Sequence, residues 1–154
     1  MVYIYSMTDQ PGDWRTGRHV VYKLHAHIIL TPKYRRKVMT DRVAAVLADT
    51  FTEVCGRHGV TLDAFEVDRD HAHLLVSYPP KLALSRLVMS LKTISSMRVR
   101  AQHWPEVTKA IRGDHFWSPS YAVVSCGGAP LDVVKAYIEG QQSPNRPKGR
   151  PKRT

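Results

Sequence analysis

Residues 71–78 read His71-Ala72-His73-Leu74-Leu75-Val76-Ser77-Tyr78. Successive side chains of a strand point to opposite faces of its sheet. Ala72, Leu74, Val76 and Tyr78 therefore share an apolar face, and His71, His73, Leu75 and Ser77 share the other. Pro79-Pro80 ends the strand, since proline has no N–H to give to a ladder. Asp68-Arg69-Asp70, just before it, reads as a tight polar turn.

Val20 to Leu30 alternates in the same way. Val20, Tyr22, Leu24, Ala26, Ile28 and Leu30 form an apolar face; Val21, Lys23, His25, His27 and Ile29 form a more polar one. Val60–Val67 is a third alternating run, and Phe116–Cys126 contains a fourth, with Pro119 near its start. Between them lie helical stripes: Val43, Val46, Leu47, Thr50, Phe51 and Val54 behind an N-cap at Asp41, then Leu84, Leu87, Val88, Leu91 and Ile94. Gly56 and Gly59 close the first, and Trp104-Pro105 breaks the second. Leu131–Gln142 is a last helix, with Leu131, Val134 and Ile138 facing a core.

The order strand, helix, strand, strand, helix, strand, helix predicts an α+β, ferredoxin-like (RRM-like) sandwich. It has an antiparallel four-stranded sheet, two helices on one face, and a C-terminal helix carrying Tyr137. The first and third strands are central. The histidine-bearing face is left open, so His25, His27, His71 and His73 line one surface. Residues 1–18, with Pro11, Gly12 and Gly17, are an irregular lead-in; 19–142 are the folded domain; 143–154 are a disordered basic tail rich in Pro, Lys and Arg.

At 154 residues one domain is expected, with enough chain for a core. The formal net charge of +10 favours a polyanionic partner, most commonly nucleic acid. Two cysteines, Cys55 and Cys126, have no zinc-knuckle or disulfide spacing and read as reduced thiols. No apolar run approaches the roughly 18 residues of a membrane span. No secretory signal is read in Met1–Gly17. The expected location is the cytoplasm or nucleoid, away from any membrane.

Two His-Ala-His triplets stand out, and the second is the better metal site because it opens its strand beside the acidic turn. His25 and His27 are second-layer groups, DNA contacts or structural residues. Tyr137 and Gln141 are one helical turn apart, about 40° around the axis, so a phenol and an amide emerge on nearly one line. A metal on two imidazoles and an amide oxygen, beside a phenol, is equipment for cutting DNA through a phosphotyrosine. Lys33, Arg35, Arg36, Arg86, Lys92 and Arg98 are candidate phosphate contacts. Trp104, Phe116-Trp117 and Tyr121 are either base-stacking platforms or core.

Several stretches together resemble one family, the single-tyrosine HUH transposases of insertion sequences that move as single-stranded DNA. They are Pro32-Lys33-Tyr34-Arg35-Arg36-Lys37-Val38, Asp70-His71-Ala72-His73-Leu74-Leu75-Val76 and Leu87-Val88-Met89-Ser90-Leu91-Lys92 with Ser95-Ser96. Phe116-Trp117-Ser118-Pro119-Ser120-Tyr121 and Val134-Lys135-Ala136-Tyr137-Ile138-Glu139-Gly140-Gln141 complete the set. The resemblance spans roughly residues 19–142. It implies that His71 and His73 are metal ligands, that Gln141 completes the site, and that Tyr137 is the nucleophile.

The resemblance further implies Mg²⁺ or Mn²⁺ as cofactor and hairpin-bearing single-stranded DNA as substrate. It implies a homodimer with shared active sites, the Tyr helix of one chain completing the other's site, with Gly127-Gly128 as a contributor to the joint or a plain turn. One departure is Gly140, where the family more often has Asn; a helical Gly costs about 1 kcal/mol relative to Ala. The basic tail is another. A domesticated relative that processes palindromes, a non-catalytic nucleic-acid-binding module and a water-using nuclease are the rival readings.

Overall fold

The computed structural model describes residues 2–4, 14–68, 70–113 and 115–126. Its elements are β1 (Val2–Ile4), β2 (Arg15–Thr16), β3 (Val21–Tyr22), β4 (His25–Pro32), α1 (Asp41–Arg57), β5 (Thr61–Val67), β6 (Ala72–Ser77), α2 (Leu84–Ala101), α3 (Pro105–Ile111) and β7 (Trp117–Ser125). The main sheet is antiparallel with strand order β1-β5-β6-β4-β7, which puts the two His-Ala-His strands side by side near its centre. The expected α+β sandwich is what forms. It carries one strand more than expected, because Val2–Ile4 pairs with the outer side of β5.

Alternation dictates which face is packed. Ala26, Ile28 and Leu30 of β4 stand beside Val76, Leu74 and Ala72 of β6 in register, and all six are buried in one cluster. Leu47 and Phe51 of α1 and Leu87 and Leu91 of α2 join that cluster. Phe51 meets Phe65 edge to face at 5.4 Å. Each such large side chain contributes about 1.5–3 kcal/mol by leaving water.

Several local expectations are revised. The alternating run 20–30 is not one strand. Tyr78 N–H donates to the Leu24 carbonyl at 3.0 Å, and the next residue, Pro79, has no N–H, so the pairing with β6 stops there. Upstream, Val21–Tyr22 turns back onto Arg15–Thr16 in a separate two-stranded ribbon. The cap of α1 is Thr40, whose hydroxyl accepts from Val43 N–H at 3.4 Å; Asp41 sits in the first turn, where its charge suits the helix N-terminus. Gly59, at φ +68°, supplies the left-handed residue after that helix.

Trp104-Pro105 ends one helix and starts another. Proline fits the first position of α3, where its missing N–H costs nothing. Arg42 anchors α3 to α1, donating two hydrogen bonds to Glu106 at 2.6 and 2.7 Å while lying 4.8 Å over the Trp104 ring. Phe116 and Trp117 are core, and the Trp117 indole donates to Ser95 Oγ at 2.9 Å. Tyr121 is exposed on β7.

The histidine face is less open than expected. His27, His73, Leu75 and Asp63 are all buried, with Ala64 and Cys126 packed on Leu75. His25 and His71 are partly exposed. Near-parallel packing of the His27 and His73 rings, 5.3 Å apart, is one reason these two imidazoles lose their water.

Candidate functional site

His73 occupies the middle of the sheet, opposite Ile29 of β4 on one side and Glu66 of β5 on the other. His71 lies one residue before β6, at the mouth of the acidic turn. Asp68 N–H donates to the His71 carbonyl at 2.9 Å and closes that turn. The His71 and His73 rings are 5.9 Å apart at their centroids and tilted by 36°. Asp68, Asp70 and His71 each offer a ligand atom, all within 4.8 Å of one another, a cluster able to hold a metal ion.

The electrostatics suit ligation. Burial, reinforced by His71, pushes the His73 pKa down to about 4, against the pull of Asp68 and Asp70. Burial and the adjacent His73 push His27 down to about 4 as well. Both rings are neutral near pH 7 and keep a bare ring nitrogen. Asp70 Oδ1 lies 2.6 Å from His71 Nδ1, so His71 donates there and its Nε2 is the nitrogen left for a cation. Neutral imidazoles next to carboxylates fit a first-row divalent ion or Mg²⁺.

The first triplet is wired differently. His25 Nδ1 lies 2.8 Å from Ser77 Oγ, and the Ser77 hydroxyl donates to Asp63 Oδ2. Asp63 is 1% exposed, and burial raises its pKa against the opposing effects of Ser77, His25 and Arg15. Arg15 itself donates to Thr61 Oγ1 at 2.8 Å, beside this network. His25 therefore serves a polar knot at the other end of β6, away from the His71–His73 pair. His27 does not: its Nε2 is 3.1 Å from His73 Nδ1.

The candidate phosphate contacts divide into groups. Lys33 and Lys92 line a cavity of about 720 Å³ together with Arg100, His115 and Ser118. Arg35 and Arg36 line another of about 620 Å³, with Lys37, Glu106 and Lys109. Between these cavities the chain turns sharply. Tyr34 and Arg35 adopt φ of 59° and 51°, a left-handed conformation that costs a non-glycine residue energy. The Tyr34 ring sits under the Lys33 ammonium at 5.3 Å and the Arg36 guanidinium at 5.4 Å.

Lys92 is half-buried, donates to the Ser118 carbonyl at 2.7 Å and lies 5.2 Å over the Tyr121 ring; burial lowers its pKa. Arg86 is exposed on α2. Arg98 is paired with Glu53 across the α1–α2 seam.

The sequence reading passed over Asp68 and Asp70 as ligand-bearing groups, although their adjacency to His71 was the available signal. Lys109 and His115 gave no such signal; only the folded chain brings them to the cavities. Tyr137, Gln141, the Gly127-Gly128 pair, the last helix and the basic tail lie outside the described residues. Among those residues, no helix is long and apolar enough to cross a membrane.

Comparison with known proteins converges on one group. Residues 20–141 match the family model described as "Transposase IS200 like". The chain is 32% identical over 131 residues to the ISDra2 transposase TnpA of Deinococcus radiodurans, covering 85% of this chain and 93% of that protein. It is 28% identical over 130 residues to the transposase for insertion sequence element IS200 of Salmonella typhimurium, with 84% of each covered. Among solved structures, a crystal structure of a Deinococcus radiodurans transposase superposes with a TM-score of 0.66 at 34% identity, over 82% of this chain and 97% of that one. A REP-associated tyrosine transposase bound to a REP hairpin shares the fold, with a TM-score of 0.53 at 12% identity over 81% of this chain and 68% of that one.

Proposed function

Because the chain belongs to the IS200-like transposase family, we propose that it cleaves and rejoins single-stranded DNA at hairpin-bearing element ends through a 5′-phosphotyrosine. The observation that carries this reading is the pair of imidazoles, His71 and His73, with ring centroids 5.9 Å apart and His71 clustered with Asp68 and Asp70. His71, His73 and Gln141 would hold the ion, with Asp68 and Asp70 adding negative charge beside it. What Mg²⁺ or Mn²⁺ supplies when bound is positive charge opposite a non-bridging oxygen of the scissile phosphate.

Tyr137 is the nucleophile in this reading. Its phenolic oxygen bonds to phosphorus, the P–O3′ bond breaks, and the 3′ oxygen departs as a hydroxyl while the phenol gives up its proton. A phenol, with a pKa near ~10, is a better leaving group than a sugar alcohol. The ester therefore stays open to attack by another strand's 3′-hydroxyl, and joining needs no ATP.

Substrate is held by charge and shape. The cavities lined by Lys33, Lys92 and Arg100 and by Arg35, Arg36 and Lys109 offer clustered cations. Phosphate contacts of this kind set register and orientation, while pockets for extruded bases set sequence. The active form is a homodimer. In support, among the described residues β7 is an edge strand, paired on one side with β4, and Tyr121, Val123 and Val124 are exposed along it. Such an edge is open to pairing with a second copy.

The test is to incubate the protein with Mn²⁺ and end-labelled single-stranded DNA carrying a hairpin. A denaturant-resistant protein–DNA adduct is expected, lost in Tyr137→Phe and in His71→Ala. Cleavage that survives Tyr137→Phe without an adduct would assign the reaction to water. Binding without cleavage under every condition would leave a non-catalytic module.

A further inference from the structure

The contact between His27 and His73 has a consequence for how a cation is bound. Their facing nitrogens, His27 Nε2 and His73 Nδ1, are 3.1 Å apart, close enough for one hydrogen bond and too close for two protons. The rings are only 20° from parallel, and both are buried. One proton therefore lies between them, and two arrangements exist. If His27 donates, the His73 proton sits on Nε2, and that ring has no lone pair for a metal. If His73 donates from Nδ1, its Nε2 is bare and faces away from β4.

We infer that His27 is a positioning residue: by accepting from Nδ1 it fixes His73 in the tautomer, and the ring orientation, that present Nε2 to a divalent cation. The reading rests on His73 being a ligand, as proposed above. His27 is suited to the task by its place on the neighbouring strand, opposite Leu75 and two pairs along from His73, on the same face. His25 is committed to Ser77, and Asp70 to His71. The two candidate ligand rings thus have separate Nδ1 partners from different elements, a carboxylate on the turn for one and an imidazole on β4 for the other. Partners that orient a ligating histidine in this way typically carry 10–100-fold in metal affinity.

Mn²⁺ binding to the full-length protein, followed without DNA by the electron paramagnetic resonance of free Mn²⁺, tests this. His27→Ala is expected to weaken binding 10–100-fold, and His27→Gln, whose amide oxygen can accept from Nδ1, to restore most of it. His73→Ala separates the two readings. If it binds Mn²⁺ as wild type does, the ligand assignment fails and the inference with it. If it loses binding while His27→Ala does not, only the inference fails. An equal loss in His27→Ala and His27→Gln would reduce His27 to packing. A further measurement needs no variant: ¹⁵N shifts of His73 in the metal-free protein should report a proton on Nδ1, and a proton on Nε2 overturns the inference.

Discussion

Asp70 Oδ1 lies 2.6 Å from His71 Nδ1, a carboxylate in line behind an imidazole at the mouth of an acidic turn. Such a partner sets the ring's tautomer and makes its far nitrogen a better donor to a metal. Asp70→Asn keeps the shape but presents a neutral amide, which holds the ring less firmly. Mn²⁺ affinity should fall about 10-fold in this variant, measured by calorimetry, with melting temperature little changed because the side chain is partly exposed. Unchanged affinity would mean that the turn does not serve the ion.

Acid should destabilise the fold in a defined window. Burial holds His27 and His73 near pKa 4 in the folded protein, against an ordinary histidine's 6.5. Below 6.5 the unfolded chain takes up protons that the native state refuses, so stability falls as pH drops from about 6.5 towards 4. A shift of this size is worth about 3 kcal/mol for one ring, and less than twice that for two rings that repel. Asp63 acts in the opposite sense: its raised pKa contributes at low pH and is lost as pH rises. Urea melts between pH 8 and 4 should show the decline, and His27→Gln combined with His73→Gln should flatten it. A flat wild-type profile would contradict the burial of these rings as neutral groups.

How much of this was legible beforehand follows from the physics of each feature. Period-two alternation exposed β4, β5 and β6 because one face of each packs on α1 and α2 and the other does not. It could not show where β4 begins, since that is set by where its partner meets Pro79. The His71–Asp70 contact is local in sequence and could be read from it. The His27–His73 contact joins residues 46 apart, and its meaning depends on which ring atoms face each other. Likewise the helix that follows Trp104-Pro105 depends on Arg42 and Glu106 meeting across 64 residues.

The cations should not contribute equally to DNA binding. Arg35 and Arg36 are exposed at a cavity rim, so each neutralised phosphate should release counterions, with a salt slope of about 0.7 per contact for single strands. Arg35→Ala and Arg36→Ala should each weaken hairpin binding across sequences and lower that slope by about one contact. Arg98 already faces Glu53, so Arg98→Ala should leave the slope unchanged. Fluorescence anisotropy across a salt series checks all three. A slope change confined to Arg98→Ala would move the DNA path to the α1–α2 seam.

The edge of β7 offers the sharpest handle on assembly. Val123 is 37% exposed there, so a lysine at this position would be tolerated in the monomer and would repel its own copy across a two-fold edge. Val123→Lys should shift light scattering from dimer to monomer while the melting temperature moves by a few degrees at most. Because the proposed sites are shared, adduct formation with hairpin DNA should be lost. Mn²⁺ binding should fall only as far as Gln141 comes from the other chain, because His71 and His73 belong to one protomer's own β6 region. A monomeric Val123→Lys that still forms the adduct at the wild-type rate would show that one chain suffices for the chemistry.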